Sequence, residues 1–150
     1  MNQLFLILQN KILISAVMGW LIAQILKTII HLYFTKSFSA ERLVGSGGMP
    51  SSHSSTVCAL AASTSMQCGL NSPEFALAVI VAIIVMYDAL GVRRETGIQA
   101  VIINEMMDFF KGMDKKFSRE DKLKELVGHT PLQVLMGAIL GIIIAIVIMN

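Results

Sequence analysis

Hydrophobic residues run along the chain in four blocks, at 12–32, 56–68, 75–90 and 132–149, separated by polar stretches of unequal length. The first and last are long enough to cross a bilayer as helices at ~1.5 Å per residue. The middle two are shorter and need their flanking turns, so the expected crossings are 12–32, 54–69, 74–90 and 131–149. "GLNSP", Gly69 to Pro73, joins the middle pair: glycine ends one helix and proline opens the next, which predicts a helical hairpin. A different pattern occupies 98–113. Ile98, Val101, Ile102, Met106, Phe109 and Phe110 fall on one helical face, with Gln99, Asn104, Glu105 and Asp108 mostly opposite. That suits an amphipathic helix at the membrane interface, or a lid over the domain. The charged stretch 111–125 reads as a solvated loop followed by a short helix. The predicted fold is therefore an all-α integral membrane bundle of about four spans with an additional interfacial amphipathic helix, one domain over 1–150.

Composition agrees with this class. Hydrophobic residues make up 55% of the 150 and charged residues 15%, more apolar side chain than a soluble domain of this length hides. The net charge of +2, with no basic stretch interleaved with aromatics, speaks against nucleic-acid binding. Cys58 and Cys68 have neither zinc-site nor disulfide-framework spacing and read as packing residues. Lys11 precedes an apolar run without a small-residue cleavage site, and Gln24 and Lys27 lie within it, so a retained span is expected. With four spans, both termini and the Gly69–Pro73 turn share one side, which carries only Lys11. The other side, including the segment 91–130, carries ten lysines and arginines, and seven when Arg42, Arg93 and Arg94 are set aside. The asymmetry places the loop side in the cytoplasm, with the cell membrane the expected location.

Polar residues in and beside the spans now stand out. In "GSGGMPSSHSS", Gly45 to Ser55, Ser51 and Ser52 are good N-caps for a helix beginning near His53, and the glycines upstream let backbone approach a ligand closely. A second helix start lies in "GHTPLQV": Thr130 as N-cap, Pro131 at the first helical position, and His129 immediately before. Both starts face the loop side. Trp20, Gln24, Lys27 and His31 share a face of the first span, and Asp88, Arg93 and Arg94 lie at the loop-side end of the third. Ionisable groups at such depth usually face a protein interior or a wet cavity. Each has a plain structural use: a cap, a snorkelling lysine, an anchoring arginine. Their convergence is what suggests chemistry. Lys27, Arg93 or Arg94, Arg42 and two helix N-termini make a cationic nest suited to a tetrahedral oxyanion, with two histidines able to serve as nucleophile and proton donor.

At these residues the chain resembles the type-2 phosphatidic acid phosphatase superfamily, which includes bacterial acid phosphatases and vanadium haloperoxidases and carries K-x6-R-P, P-S-G-H and S-R-x5-H-x3-D. "PSSH", Pro50 to His53, matches the second motif with Ser52 in place of glycine, and Lys27 is the candidate first lysine. "GHTPLQVLMGAILG", Gly128 to Gly141, is similar to the end of the third motif and the helix after it. With "MYDALGVRRETGIQA", the combination resembles the superfamily's divergent branch of small membrane proteins, over 24–141. Three departures stand out. Phe34 occupies the position of the first motif's arginine, with Arg42 the nearest substitute. Thirty-four residues separate Arg94 from His129, and Gln133 replaces the aspartate that orients the nucleophilic histidine.

The resemblance implies a reaction without metal or cofactor. His129 would attack phosphorus to form a phosphohistidine, and His53 would protonate the leaving alkoxide and then activate water. Lys27, Arg93 or Arg94, Arg42, Ser51 and backbone N–H groups at Ser52 would hold the phosphate oxygens. Gln133 and Asp88 are the candidates for orienting His129, with Glu95 and Glu125 further acids within reach of the argument. The implied substrate is a phospholipid or a polyprenyl phosphate drawn from the membrane lipids, with phosphatidic acid or phosphatidylglycerophosphate favoured by a cytoplasmic site. Two other readings compete: a non-catalytic phospholipid-binding or transport protein that keeps the anion nest, and an assembly subunit that binds membrane proteins through 98–113.

Overall fold

The computed structural model describes residues 3–36, 48–113, 123 and 128–150, with no strand among them. Six helices follow one another: α1 (Gln3–Leu8), α2 (Lys11–Thr35), α3 (Ser52–Cys68), α4 (Pro73–Leu90), α5 (Val92–Met113) and α6 (Pro131–Met149). Their starts are set by local chemistry. The side chains of Asn10, Ser51, Ser72 and Thr130 each accept a hydrogen bond from the backbone N–H three residues on. Pro73 and Pro131 occupy first-turn positions, where a missing N–H costs nothing.

The centre of the bundle is α3, which packs against α2, α4 and α6. It is also the most hydroxyl-rich helix, and Ser54, Ser55 and Ser63 are fully buried. Their hydroxyls are satisfied locally or across the interface: Ser55 donates to the Gly19 carbonyl at 2.8 Å, and Ser63 to that of Ala59 at 2.7 Å. Glycines on the neighbouring helices bring the backbones together. A Cβ on Gly137 would collide with the Ser51 carbonyl oxygen, one on Gly141 with that of Ser55, and one on Gly19 would stand 2.9 Å from the Ser55 oxygen. Close approach through small residues is how helices associate where lipid offers no hydrophobic drive.

The apolar residues are distributed accordingly. The buried ones are small, among them Ala16, Ala23, Ala59, Ala78, Ala82 and Ala145, whereas Leu77, Ile80, Ile84, Leu135, Ile139, Ile143 and Val147 point outward. Large apolar side chains facing out and small ones facing in describe an integral membrane bundle. By length and composition, Lys11–Thr35, Pro73–Phe110 and Pro131–Met149 are long and apolar enough to cross a membrane. The fourth expected crossing, α3, has 17 residues and is screened by its neighbours, so its polarity is compatible with the interior of the bundle.

The segment expected to form the amphipathic helix differs in two respects. The helix begins earlier, at Val92, directly after the break at Gly91 that ends α4. Asn104, expected on the polar face, is only 3% exposed. Its carboxamide donates to the Leu123 carbonyl at 2.9 Å and accepts from the Leu123 N–H at 3.0 Å. With Gly97 and Ala100 it forms a buried stripe, while Ile98, Ile102, Met106, Phe109 and Phe110 are exposed as expected. Among the described helices, α5 packs on α4. The charged loop of 111–125 falls mostly outside the described residues.

Candidate functional site

Three chain segments meet at one end of the bundle. The N–H of Ser51, at the start of α3, donates to the Gln133 carbonyl in the first turn of α6 at 3.0 Å. The N–H of His129 donates to the Ala89 carbonyl at the end of α4 at 3.1 Å. These two bonds carry the histidines toward each other. The rings of His53 and His129 lie 6.1 Å apart between centroids, inclined at 62°. His129 is only 2% exposed and His53 partly so.

The capping box of α6 fixes more than a helix start. The Thr130 hydroxyl accepts from the Gln133 N–H at 3.4 Å, and Gln133 Oε1 accepts from the Thr130 N–H at 3.1 Å. The same Oε1 lies 3.2 Å from His129 Nδ1. A backbone N–H only donates, so its bond identifies the Gln133 atom as the carbonyl oxygen. Nδ1 of His129 must then be the donor. In the neutral ring this puts the lone pair on Nε2, the tautomer a nucleophile needs.

At the start of α3, Ser51 accepts through Oγ from the Ser54 N–H at 3.3 Å and from the Ser54 hydroxyl at 3.0 Å. Ser51 and Ser52 are buried. The first-turn N–H groups and the positive end of a 17-residue helix supply partial positive charge. Lys27 brings an amine to the same end. It is 2% exposed, and its stem lies over Gly48, where a Cβ would stand 3.2 Å from Lys27 Cγ. Gly48 has φ +88°, a backbone conformation that favours glycine, and an added Cβ would press on the Lys27 stem.

The other candidates lie on α4 and α5 or outside the described residues. Asp88 precedes Ala89, which holds the His129 backbone, and is half-buried. Arg94 is exposed on α5. The side chain of Arg93 and all of Arg42 and Glu125 lie outside the described residues. The polar stripe on α2 divides: Gln24 and Lys27 are buried, Trp20 is 43% exposed, and His31 lies 3.1 Å from the Thr35 hydroxyl near the helix end. Sequence reasoning gave Gln24 no role in the site, although it sits one turn before Lys27 in an apolar run. It also missed Ser54, whose hydroxyl orients Ser51. The signal for both was a polar residue at helical spacing from one already chosen.

The profile of the Divergent PAP2 family matches residues 8–144 of the chain. An uncharacterized membrane protein of Bacillus subtilis strain 168, YuiD, is 37% identical over 153 residues, covering 95% of this chain and 96% of that protein. No solved structure matches.

Proposed function

The chain belongs to the Divergent PAP2 family, and on that premise we propose that it is a membrane-embedded lipid phosphate phosphatase acting without metal through a phosphohistidine. One observation carries the reading. His129 is buried, held through Nδ1 by Gln133, and faced by His53 at 6.1 Å, so one ring is prepared as nucleophile and the other stands across from it.

Nε2 of His129 attacks phosphorus, and the bond from phosphorus to the ester oxygen breaks. The leaving alkoxide takes a proton from His53. His53, now neutral, takes a proton from water, and the resulting hydroxide attacks phosphorus, breaking the N–P bond and restoring His129. Lys27, the Ser51 hydroxyl, the backbone N–H groups around Ser52, and the family's arginine role filled by Arg93, Arg94 or Arg42 stabilise the equatorial oxygens. A site at the end of an apolar bundle suits a phosphate carried on a lipid. The excess of lysine and arginine on this side favours the cytoplasmic leaflet of the cell membrane, hence phosphatidic acid or phosphatidylglycerophosphate.

A second reading is favoured by Gln133, which holds the ring but offers no charge to offset a phosphorylated, cationic imidazole. On that reading the chain binds or moves anionic lipids without hydrolysing them. The experiment is phosphate release by purified, detergent-solubilised protein without added metal, offered phosphatidic acid, phosphatidylglycerophosphate and a polyprenyl pyrophosphate. Vanadate-sensitive release lost in His129→Ala and His53→Ala is expected. No release from folded protein, or release unchanged in His129→Ala, refutes the phosphatase.

A further inference from the structure

Gln24 is 4% exposed, and its Oε1 has no hydrogen-bond partner among the described residues. Its position along α2 can be fixed from contacts. α2 and α3 run antiparallel, with the Ser55 hydroxyl on the Gly19 carbonyl and the Lys27 stem over Gly48. From Gly19, Gln24 stands ~7.5 Å of helix rise toward the Lys27 end, and Ser51 stands ~6 Å from Ser55 in the same direction. Gln24 therefore lies ~1.5 Å beyond the level of the Ser51 cap, between the depth of the cap and that of Lys27.

The groups at this end that can offer hydrogen to a ligand include the Ser52 N–H at the start of α3 and the Lys27 amine, whereas the Ser51 N–H is bonded to the Gln133 carbonyl and the Ser54 N–H to Ser51 Oγ. A carbonyl oxygen at this depth repels a bare phosphate oxygen and attracts a hydroxyl. Leaving it buried and unmet carries the desolvation penalty of a polar atom, which a bound O–H group would relieve.

We propose that Gln24 is a specificity-determining residue of the site, its Oε1 accepting a hydrogen bond from an O–H group of the bound phosphate ester. This rests on the reading of this end of the bundle as a phosphate-ester site, though not on hydrolysis. The O–H has two sources, the acid proton of a singly ionised phosphate or a hydroxyl on the lipid headgroup. The first makes binding favour the monoanion and hence mildly acid pH. The second makes the site prefer a glycerol-bearing headgroup at any pH.

The test is equilibrium binding of short-chain phosphatidic acid and phosphatidylglycerophosphate to the full chain in detergent, below and above the second phosphate ionisation near about pH 6. The unmodified protein is compared with Gln24→Leu, which removes the acceptor and is expected to melt no lower because a buried polar atom is lost. Binding weaker by about tenfold is expected in the variant. Loss for both lipids confined to acid pH identifies the phosphate proton; loss for the glycerol-bearing lipid alone, at both pH values, identifies the headgroup. Equal binding by the two proteins throughout overturns the proposal and leaves a trapped water on Gln24. Binding without phosphate release sinks the phosphatase and leaves Gln24 in place; failure of the unmodified chain to bind either lipid sinks both.

Discussion

Gln133 holds His129 and caps its own helix with a single atom. Oε1 accepts from the Thr130 N–H at 3.1 Å and lies 3.2 Å from His129 Nδ1, so the tautomer of the histidine is tied to the start of α6. Gln133→Glu preserves both bonds and the capping box and adds a charge. A carboxylate beside His129 favours its protonated form, which raises its pKa and leaves less neutral ring at a given pH below it. The acid limb of the pH profile of phosphate release should move to higher pH, while the chain melts no lower. Gln133→Leu, which removes the hold, should lower release by roughly 10–100-fold, the size of effect seen when orienting partners of functional histidines are lost. An acid limb unmoved in Gln133→Glu would mean that His129 is not the group that titrates.

The serine carbonyls of α3 and the glycines of α6 make a second relationship with a measurable consequence. The Ser51 and Ser55 oxygens occupy the space a Cβ would need at Gly137 and Gly141, and both oxygens are backbone, which cannot swing aside. Gly137→Ala and Gly141→Ala should each destabilise the bundle by about 1–3 kcal/mol or more, through the cost of overpacking. Gly19→Ala, with its nearest atom at 2.9 Å, should cost less. Thermal melting in one detergent checks the order. Equal melting of all three variants would show that α3 can move away from α6 without penalty.

Local chemistry made much of this molecule legible beforehand. The caps at Ser51 and Thr130 and the breaks at Gly69 and Pro73 depend on neighbours three or four residues away, and those neighbours are on the same line of sequence. Burial of Lys27 followed from a charge placed inside an apolar run. What hydropathy could not show is which span would sit at the centre. The answer, α3, is the least apolar of the four expected spans, and its contacts are with protein. Asn104 was misread for a related reason: its partner is nineteen residues along the chain, where no helical wheel reaches. The neutral residue at 133 was a candidate for orienting His129, and its Oε1 lies 3.2 Å from His129 Nδ1.

The Asn104 pair yields a test of what α5 does. Asn104→Leu removes two hydrogen bonds to the Leu123 backbone from a buried position, so amide exchange at Leu123 should accelerate markedly. Because α4 is the helix that α5 packs on among the described residues, phosphate release should stay within about twofold. Slowed exchange or a collapse of release would restore the view of this segment as a cover over the site.

The orientation of the site is open to a test through its cysteines. Cys58 is buried and donates to Met86 Sδ at 3.8 Å; Cys68 is exposed at the last turn of α3. The site lies at the first turn of the same helix, ~24 Å of rise away. A reagent that reaches Cys68 therefore approaches from the end opposite to the site. If the lysine- and arginine-rich end faces the cytoplasm, a membrane-impermeant maleimide should label Cys68 in intact cells, and Cys68→Ser should abolish the labelling. Labelling that needs permeabilised cells would place the site on the outer face. The positive charge near the site would then have to be explained by anion binding and not by topology, and the substrate sought among lipids of the outer leaflet.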